Sequence, residues 1–180
     1  MGYYPESNQE YTNLKDKLSK IKLLATDFDG VMTDGLVYVN QEGQETVRCS
    51  RKDGMGVELL KKNGVLVGVI SKETNPVVTA RCNKLKIPVW QGINTGEGKL
   101  EILKRIMKEQ NLSIEEVAYV GDDINDLPTL KFAGVALTVA DGHPLVREVA
   151  DYIAKASGGH HAIREIADMI LEARGVKLEI

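Results

Sequence analysis

Residues 21–35 read IKLLATDFDGVMTDG, an apolar run that stops at an aspartate and meets a second aspartate and a glycine just beyond it. Ile21 to Asp27 has the pattern of a buried strand whose carboxyl end carries Asp27 and Asp29. Outward from it the same design recurs. Val65 to Ser71 (VLVGVIS) is a β-branched buried strand ending at Ser71 and Lys72, and Val117 to Val120 is a strand running into Asp122 and Asp123. Helical spacing separates them. It covers Gly54 to Lys62, closed by Asn63-Gly64, then Thr74 to Leu85, and Gly98 to Gln110, which Lys99 opens. Further on, Pro88 to Trp90, Val135 to Thr138 and Tyr152 to Ala154 read as strands. Asn125 to Phe132, Leu145 to Ala150 and His161 to Arg174 read as helices. This alternation predicts an α/β fold, a doubly wound Rossmann-like parallel sheet. One segment breaks the rhythm: Gly35 to Cys49 alternates apolar and polar around Gln41-Glu42-Gly43 and reads as a β-hairpin after the first strand.

The 180 residues suit one core, and 43% apolar with 27% charged residues is an ordinary globular balance. A net charge of −3 without a run of Lys or Arg speaks against nucleic acid as a partner. No apolar run approaches the roughly 20 residues of a membrane-spanning helix, and the N-terminus lacks the core of a signal peptide, so a soluble cytoplasmic protein with no membrane partner is expected. Cys49 and Cys82 build neither a disulfide framework nor a CxxC metal site and are read as free thiols. Residues 1 to about 10 read as a polar tail, with a short helix to residue 20.

Open parallel sheets bind ligands at the carboxyl ends of their strands. That rule gathers Asp27, Asp29, Ser71, Asp122 and Asp123 at one edge, with Lys99 on the same side. Carboxylates so placed repel one another, and a hard divalent cation resolves the conflict. Mg2+ accepts one or two carboxylates and keeps waters for exchange, so Asp27, Asp122 and a backbone carbonyl near Asp29 would hold it. Asp27 then becomes a nucleophile toward phosphorus, forming an aspartyl-phosphate, and Asp29 an acid and then a base. Ser71 and Lys99 would hold the phosphoryl oxygens. Taken singly, Asp29-Gly30 is a turn, Ser71 a turn hydroxyl and Lys99 a solvated helix residue; their joint order at strand ends favours the site.

DFDGVMTDG (27–35), VIS (69–71), Lys99 and GDDIND (121–126) resemble, in order, the four motifs of the haloacid dehalogenase (HAD) superfamily of phosphatases. The DxDGxxTDG form, the hairpin after it, RKDGMG (51–56) and GGHHAIRE (158–165) resemble its small branch without a cap domain, which acts on 3-deoxy-2-ulosonate phosphates. The resemblance covers about Lys20 to Arg174 and implies a HAD-like phosphatase domain over 21–175 with Mg2+ as cofactor. It implies Asp27 as nucleophile, Asp29 as acid/base, Ser71 and Lys99 as phosphate ligands, and Asp27, Asp29 through its carbonyl, and Asp122 as metal ligands. Asp123 and Asp126 would orient metal waters and Lys99. Members of the branch are typically homotetramers whose hairpins assemble across subunits and whose C-terminal tail helps close a neighbour's site. The implied substrate is a sugar-acid phosphate, first the eight-carbon octulosonate 8-phosphate of lipopolysaccharide biosynthesis, alternatively a nine-carbon, sialic-acid-type 9-phosphate.

Departures bear on that choice. The branch's T-G-R is here Ser71-Lys72-Glu73, which keeps the hydroxyl and replaces a cation by Glu73. Glu73 with Arg81 and Lys84 resembles the nine-carbon enzymes, against the plain reading of solvated helix residues. His160 and His161 follow the Gly-Gly pair where Arg or Glu then Gly is usual, and Arg164 keeps the family's arginine position. Asp53, His160 and Arg164 are therefore candidate substrate contacts, beside the alternative that both histidines are exposed residues opening the last helix. Thr95 to Gly98 lengthens the approach to Lys99. Two other classes compete: a receiver-like phosphoacceptor, disfavoured because an acid/base two residues from the nucleophile hastens hydrolysis, and a non-catalytic oligomerisation module, disfavoured by the full set of carboxylates.

Overall fold

A computed structural model describes residues 9–177. The tail expected for residues 1 to about 10 lies mostly outside them; α1 runs from Gln9 to Ser19. The main sheet has six strands, β1 (Leu23–Thr26), β4 (Leu66–Ile70), β5 (Val89–Trp90), β6 (Val117–Val120), β7 (Val135–Thr138) and β8 (Tyr152–Ile153). Every pairing in it is parallel and the order is β5-β4-β1-β6-β7-β8. Counted within this sheet alone, that is the 3-2-1-4-5-6 order of a doubly wound fold, whose crevice opens where the order reverses, between β1 and β6. Asp27 and Asp122 leave those two strands.

Strand period and helix faces agree. Leu24, Val67, Val69, Ala118, Val120 and Leu137 point to one face, into a core shared with α2 (Arg51–Lys62), α3 (Pro76–Leu85) and α7 (Ala162–Ala173). Leu14 and Leu18 of α1 join that core. Leu23, Ala25, Ile70, Tyr119 and Ala136 point the other way, into a core with α4 (Gly96–Gln110), α5 (Leu127–Phe132) and α6 (Pro144–Val149). Burial on both faces explains why these strands read as continuous apolar runs.

β2 (Tyr38–Val39) and β3 (Glu45–Thr46) form the expected hairpin, antiparallel and apart from the main sheet, with Gly43 at φ 76 in its turn. It is all the regular structure between β1 and α2, and among the described residues no cap domain covers the sheet. Among the described residues no helix is long and apolar enough to cross a membrane.

Helix starts differ from expectation for local reasons. α3 begins at Pro76, not Thr74, because Asn75 caps it and the Glu73 carboxylate takes the amides of Thr74 and Asn75. Residues 124–126 form a 3-10 turn before α5. Thr95 caps α4, so 96–98 are its first turn and Lys99 sits at the end of that turn rather than beyond a longer loop.

Candidate active site

The strand ends open into a cleft of about 560 Å³ lined by Asp27, Asp29, Gly30, Gly35, Ser71, Lys72, Glu73, Thr74, Asn94, Asp122, Asp123 and Asn125. Asp27 continues β1 and donates its amide to Val120 O at 2.9 Å, which locks it beside β6. Its Oδ1 accepts the Phe28 amide at 2.6 Å and its Oδ2 accepts Lys99 Nζ at 2.6 Å. Lys99 is fully buried below the cleft, and its second partner is Asp126 Oδ1 at 2.8 Å. Burial by itself would lower the pKa of this lysine; the charges of Asp27 and Asp126 and their hydrogen bonds outweigh it and raise the pKa.

Asp126 is saturated. Its Oδ1 also accepts Tyr119 OH at 2.7 Å, and its Oδ2 accepts the amides of Asp122 at 3.0 Å and Asp123 at 3.4 Å. This carboxylate organises the loop after β6 and fixes Lys99. Asp123 is exposed at the cleft edge, where its Oδ1 accepts the Ile124 amide at 2.7 Å.

The two carboxylates that remain are short of compensation: Asp27 shares Lys99 with Asp126, and Asp122 has no cation of its own among the described residues. Asp27 is raised to about 7, by burial first and then by the charge of Asp126, against the pull of Lys99. Asp122 is raised to about 8, by burial and then by Asp27 and Asp126, and its carboxylate has no hydrogen-bond or ion-pair partner among the described residues. Oxygens of Asp27, Asp122 and Asp126 lie within 4.8 Å of one another. A Cβ on Gly30, whose φ is 72, would fall 1.9 Å from Asp122 Oδ2, so the loop after β1 is pressed against the carboxylate as only glycine allows. Buried oxygen donors of this kind fit Mg2+, and with Asp126 already saturated, Asp27 and Asp122 are the carboxylates free to hold it.

Both carboxylates bind protons more tightly folded than at the ordinary value of 3.8, so from about pH 4 to about pH 8 the cation-free fold loses stability as pH rises. Mg2+ at about 100 times its Kd contributes about 2.7 kcal/mol, or roughly 5–10 °C in Tm for a chain of this size. The shift should be larger at about pH 8 than at about pH 5, where protons compete for the carboxylates. Thermal melts with Mg2+ or EDTA at the two pH values check this; equal shifts would contradict it.

Asp29 also lines the cleft and is half-buried, its Oδ1 3.4 Å from Thr33 Oγ1. Burial first, then the charge of Glu73, raises its pKa. Ser71 Oγ accepts the Glu73 amide at 3.1 Å, leaving its proton to donate into the cleft. Glu73 also lines the cleft, its Oε1 held by the amides of Thr74 at 2.6 Å and Asn75 at 2.8 Å.

The remaining candidates lie elsewhere. Arg81 donates to Ser50 O at 2.8 Å, Lys84 is exposed on α3, and Arg164 Nε meets Asp168 at 2.8 Å. Asp53 accepts the Arg164 amide at 2.9 Å. His160 and His161 are exposed at the start of α7, His160 Nε2 2.9 Å from Arg48 and His161 Nδ1 2.8 Å from Ser50 Oγ. None of these lines the cleft. Residues 158–165 are not a free tail: Gly159 donates to Val31 O at 3.0 Å, beneath the loop that carries Asp29. Sequence reasoning missed Asn94 and Asn125. The strand-end rule applied to β5 would have reached Asn94, and Asn125 sits inside the motif already read.

A parallel sheet with an aspartate pair after its first strand, a serine after the second and an aspartate cluster after the fourth defines a phosphoryl-transfer site. Residues 69–165 match the family of haloacid dehalogenase-like hydrolases. The chain belongs to that family and is a phosphomonoesterase of it. Within the family it is 35% identical, over 148 residues covering 82% of this chain and 77% of the relative, to the 3-deoxy-D-manno-octulosonate 8-phosphate phosphatase KdsC of Salmonella typhi. It superposes on that phosphatase from Moraxella catarrhalis, solved with magnesium, phosphate and KDO, at a TM-score of 0.86 and 34% identity, covering 91% of this chain and 93% of that one. The cobalt-bound enzyme from Haemophilus influenzae gives 0.82 and 34%, covering 88% and 92%.

Proposed function

We propose that the chain hydrolyses 3-deoxy-D-manno-octulosonate 8-phosphate through an aspartyl-phosphate on Asp27, with Mg2+ held by Asp27, Asp122 and the Asp29 carbonyl. The observation that carries the chemistry is that one cleft holds both a buried carboxylate fixed at both oxygens, Asp27, and a carboxyl of raised pKa, Asp29. Mg2+, when bound, neutralises the charge shared by phosphate and carboxylates. Asp27 Oδ attacks phosphorus, the P–O bond to the sugar breaks, and protonated Asp29 gives its proton to the leaving oxygen. Water then attacks the phosphoryl group, Asp29 takes back a proton, and the Asp27 carboxylate leaves. Ser71 donates to a phosphoryl oxygen. Lys99, paired with Asp27 from below, keeps positive charge at the attacking carboxylate. Asp126 positions Lys99, and Asp123 shapes the same loop.

Glu73 in the cleft favours a second reading, a nine-carbon ulosonate 9-phosphate, since it stands where the eight-carbon branch carries a cation. Steady-state phosphate release with Mg2+ compares the two. A tenfold kcat/KM advantage, about 1.4 kcal/mol, decides the substrate. Turnover of neither ester would remove the ulosonate reading and leave the phosphatase.

The hairpin supports self-assembly. Leu36, Val37, Tyr38 and Val39 are 51–68% exposed in one run, an apolar surface that a second copy would cover, and a homotetramer is the proposed state. Free Cys49 and Cys82 support the cytoplasm as the compartment. The catalytic unit is placed at 21–175, with α1 as an N-terminal addition.

A further inference from the structure

Asp53 is 1% exposed, and the chemistry above leaves its carboxylate without a task. Its surroundings supply one. α7 begins at Ala162, yet its cap residue His161 is left-handed at φ 82 and offers no side-chain acceptor. The first amides of a helix need acceptors from outside its own ladder. Asp53 Oδ1, from the first turn of α2, accepts the Arg164 amide at 2.9 Å, which is the bond a capping residue would make. Ser50, the cap of α2, adds a tie to the same turn, its Oγ 2.8 Å from His161 Nδ1. Burial raises the Asp53 pKa and the Arg164 amide opposes it, so the group is held at this spot against its own desolvation.

The start of α7 is joined rigidly to the cleft. Gly158 and Gly159 precede it, and a Cβ on Gly158 would fall 1.9 Å from Gly30 O, one on Gly159 2.6 Å from the Asp34 amide nitrogen. Gly30 in turn leaves no space for a Cβ beside Asp122 Oδ2. The glycine turn, the loop after β1 and the Asp122 carboxylate are thus stacked in contact, and displacement at one end is transmitted to the other. We propose that Asp53 is a positioning residue for the Mg2+ site: by capping α7 from α2 it holds the Gly158–Gly159 turn against the catalytic loop and sets the spacing of Gly30 and Asp122.

The inference rests on the phosphatase reading, and its test reads cation binding without substrate. Mg2+ is titrated by calorimetry into the full chain and into Asp53→Ala, Asp53→Asn and Ile106→Ala; the last opens a cavity in the core on the opposite face of the sheet. Mg2+-dependent cleavage of p-nitrophenyl phosphate is followed in parallel. Asp53→Ala should weaken Mg2+ about tenfold or more, the scale seen when groups behind metal ligands are lost. Asp53→Asn keeps an acceptor and should stay near wild type, and Ile106→Ala should lower Tm with unchanged Mg2+ affinity. Wild-type Mg2+ affinity in a destabilised Asp53→Ala would overturn the proposal, as would a loss in Asp53→Asn equal to that in Asp53→Ala. If Asp53→Ala does not fold, Gly159→Ala reaches the same turn from its other end; weakened Mg2+ binding there supports the proposal and unchanged binding overturns it. A wild-type chain that bound Mg2+ but hydrolysed no ulosonate phosphate would sink the substrate reading alone.

Discussion

Asp27→Asn should lower kcat/KM by about four orders of magnitude or more, about 5.5 kcal/mol of transition-state stabilisation, with the fold intact. The amide cannot form the acyl phosphate, yet its oxygen can still accept from the Phe28 amide or from Lys99, and Lys99 keeps Asp126 as counter-charge. Removing one charge from a crowded, buried cluster should leave the cation-free Tm unchanged or higher at about pH 8, because Asp122 loses its strongest repelling neighbour. A melt with no decrease beside lost turnover separates chemistry from folding. Metal loss is separated by the covalent step. In Asp29→Asn, with an aryl phosphate whose leaving group needs no acid, the phosphoryl group should stay on Asp27 and appear as added mass on the peptide that contains it. Absence of that adduct while Mg2+ still binds would overturn the covalent route.

The sequence carried the fold because its strands are buried on both faces. Runs such as LLAT at 23–26 and LVGVI at 66–70 have no alternation to confuse, and the turns between them end in residues of evident chemistry. The cluster of Asp27, Asp29, Ser71, Asp122 and Asp123 was legible for the same reason, since strand order converts separate stretches into one edge. What stayed hidden depends on side-chain reach. Lys99 is expected from its position to hold a phosphoryl oxygen; the sequence does not show that it is fully buried and paired with both Asp27 and Asp126. The resemblance to the nine-carbon enzymes groups Arg81 and Lys84 with Glu73. Helix α3 faces Arg81 toward Ser50 and leaves Lys84 in solvent, while Glu73 precedes the helix and turns into the cleft. Nothing in the sequence could say that Gly158-Gly159 supports the catalytic loop of its own chain, because that contact is made by two backbones where side chains are missing.

Lys99→Met should be the most destabilising single change at the site. The methionine fills the buried volume but leaves Asp27 and Asp126 facing each other without the ammonium that now lies 2.6 and 2.8 Å from them. Breaking a buried pair by removing one partner costs about 3–5 kcal/mol, or roughly 6–20 °C in Tm at this chain length. Asp126 has other donors in Tyr119 and two amides, whereas Asp27 keeps only the Phe28 amide, so the unpaired charge falls mainly on the nucleophile. Its pKa, already raised to about 7, should rise further, and protonation then restores part of the fold. The deficit relative to wild type should therefore be largest at about pH 8 and shrink toward about pH 5, whereas loss of a lysine paired on the surface would cost about 0–1 kcal/mol and hardly vary over this range. Saturating Mg2+ should recover another part, because a cation on Asp27 and Asp122 supplies some of the missing positive charge. Turnover should not follow, since protonated Asp27 does not attack phosphorus and a metal cannot stand at the position of Nζ below it. A variant that melts like wild type across this pH range would mean that the buried pair is compensated by another group, and the role given to Lys99 would fall with it.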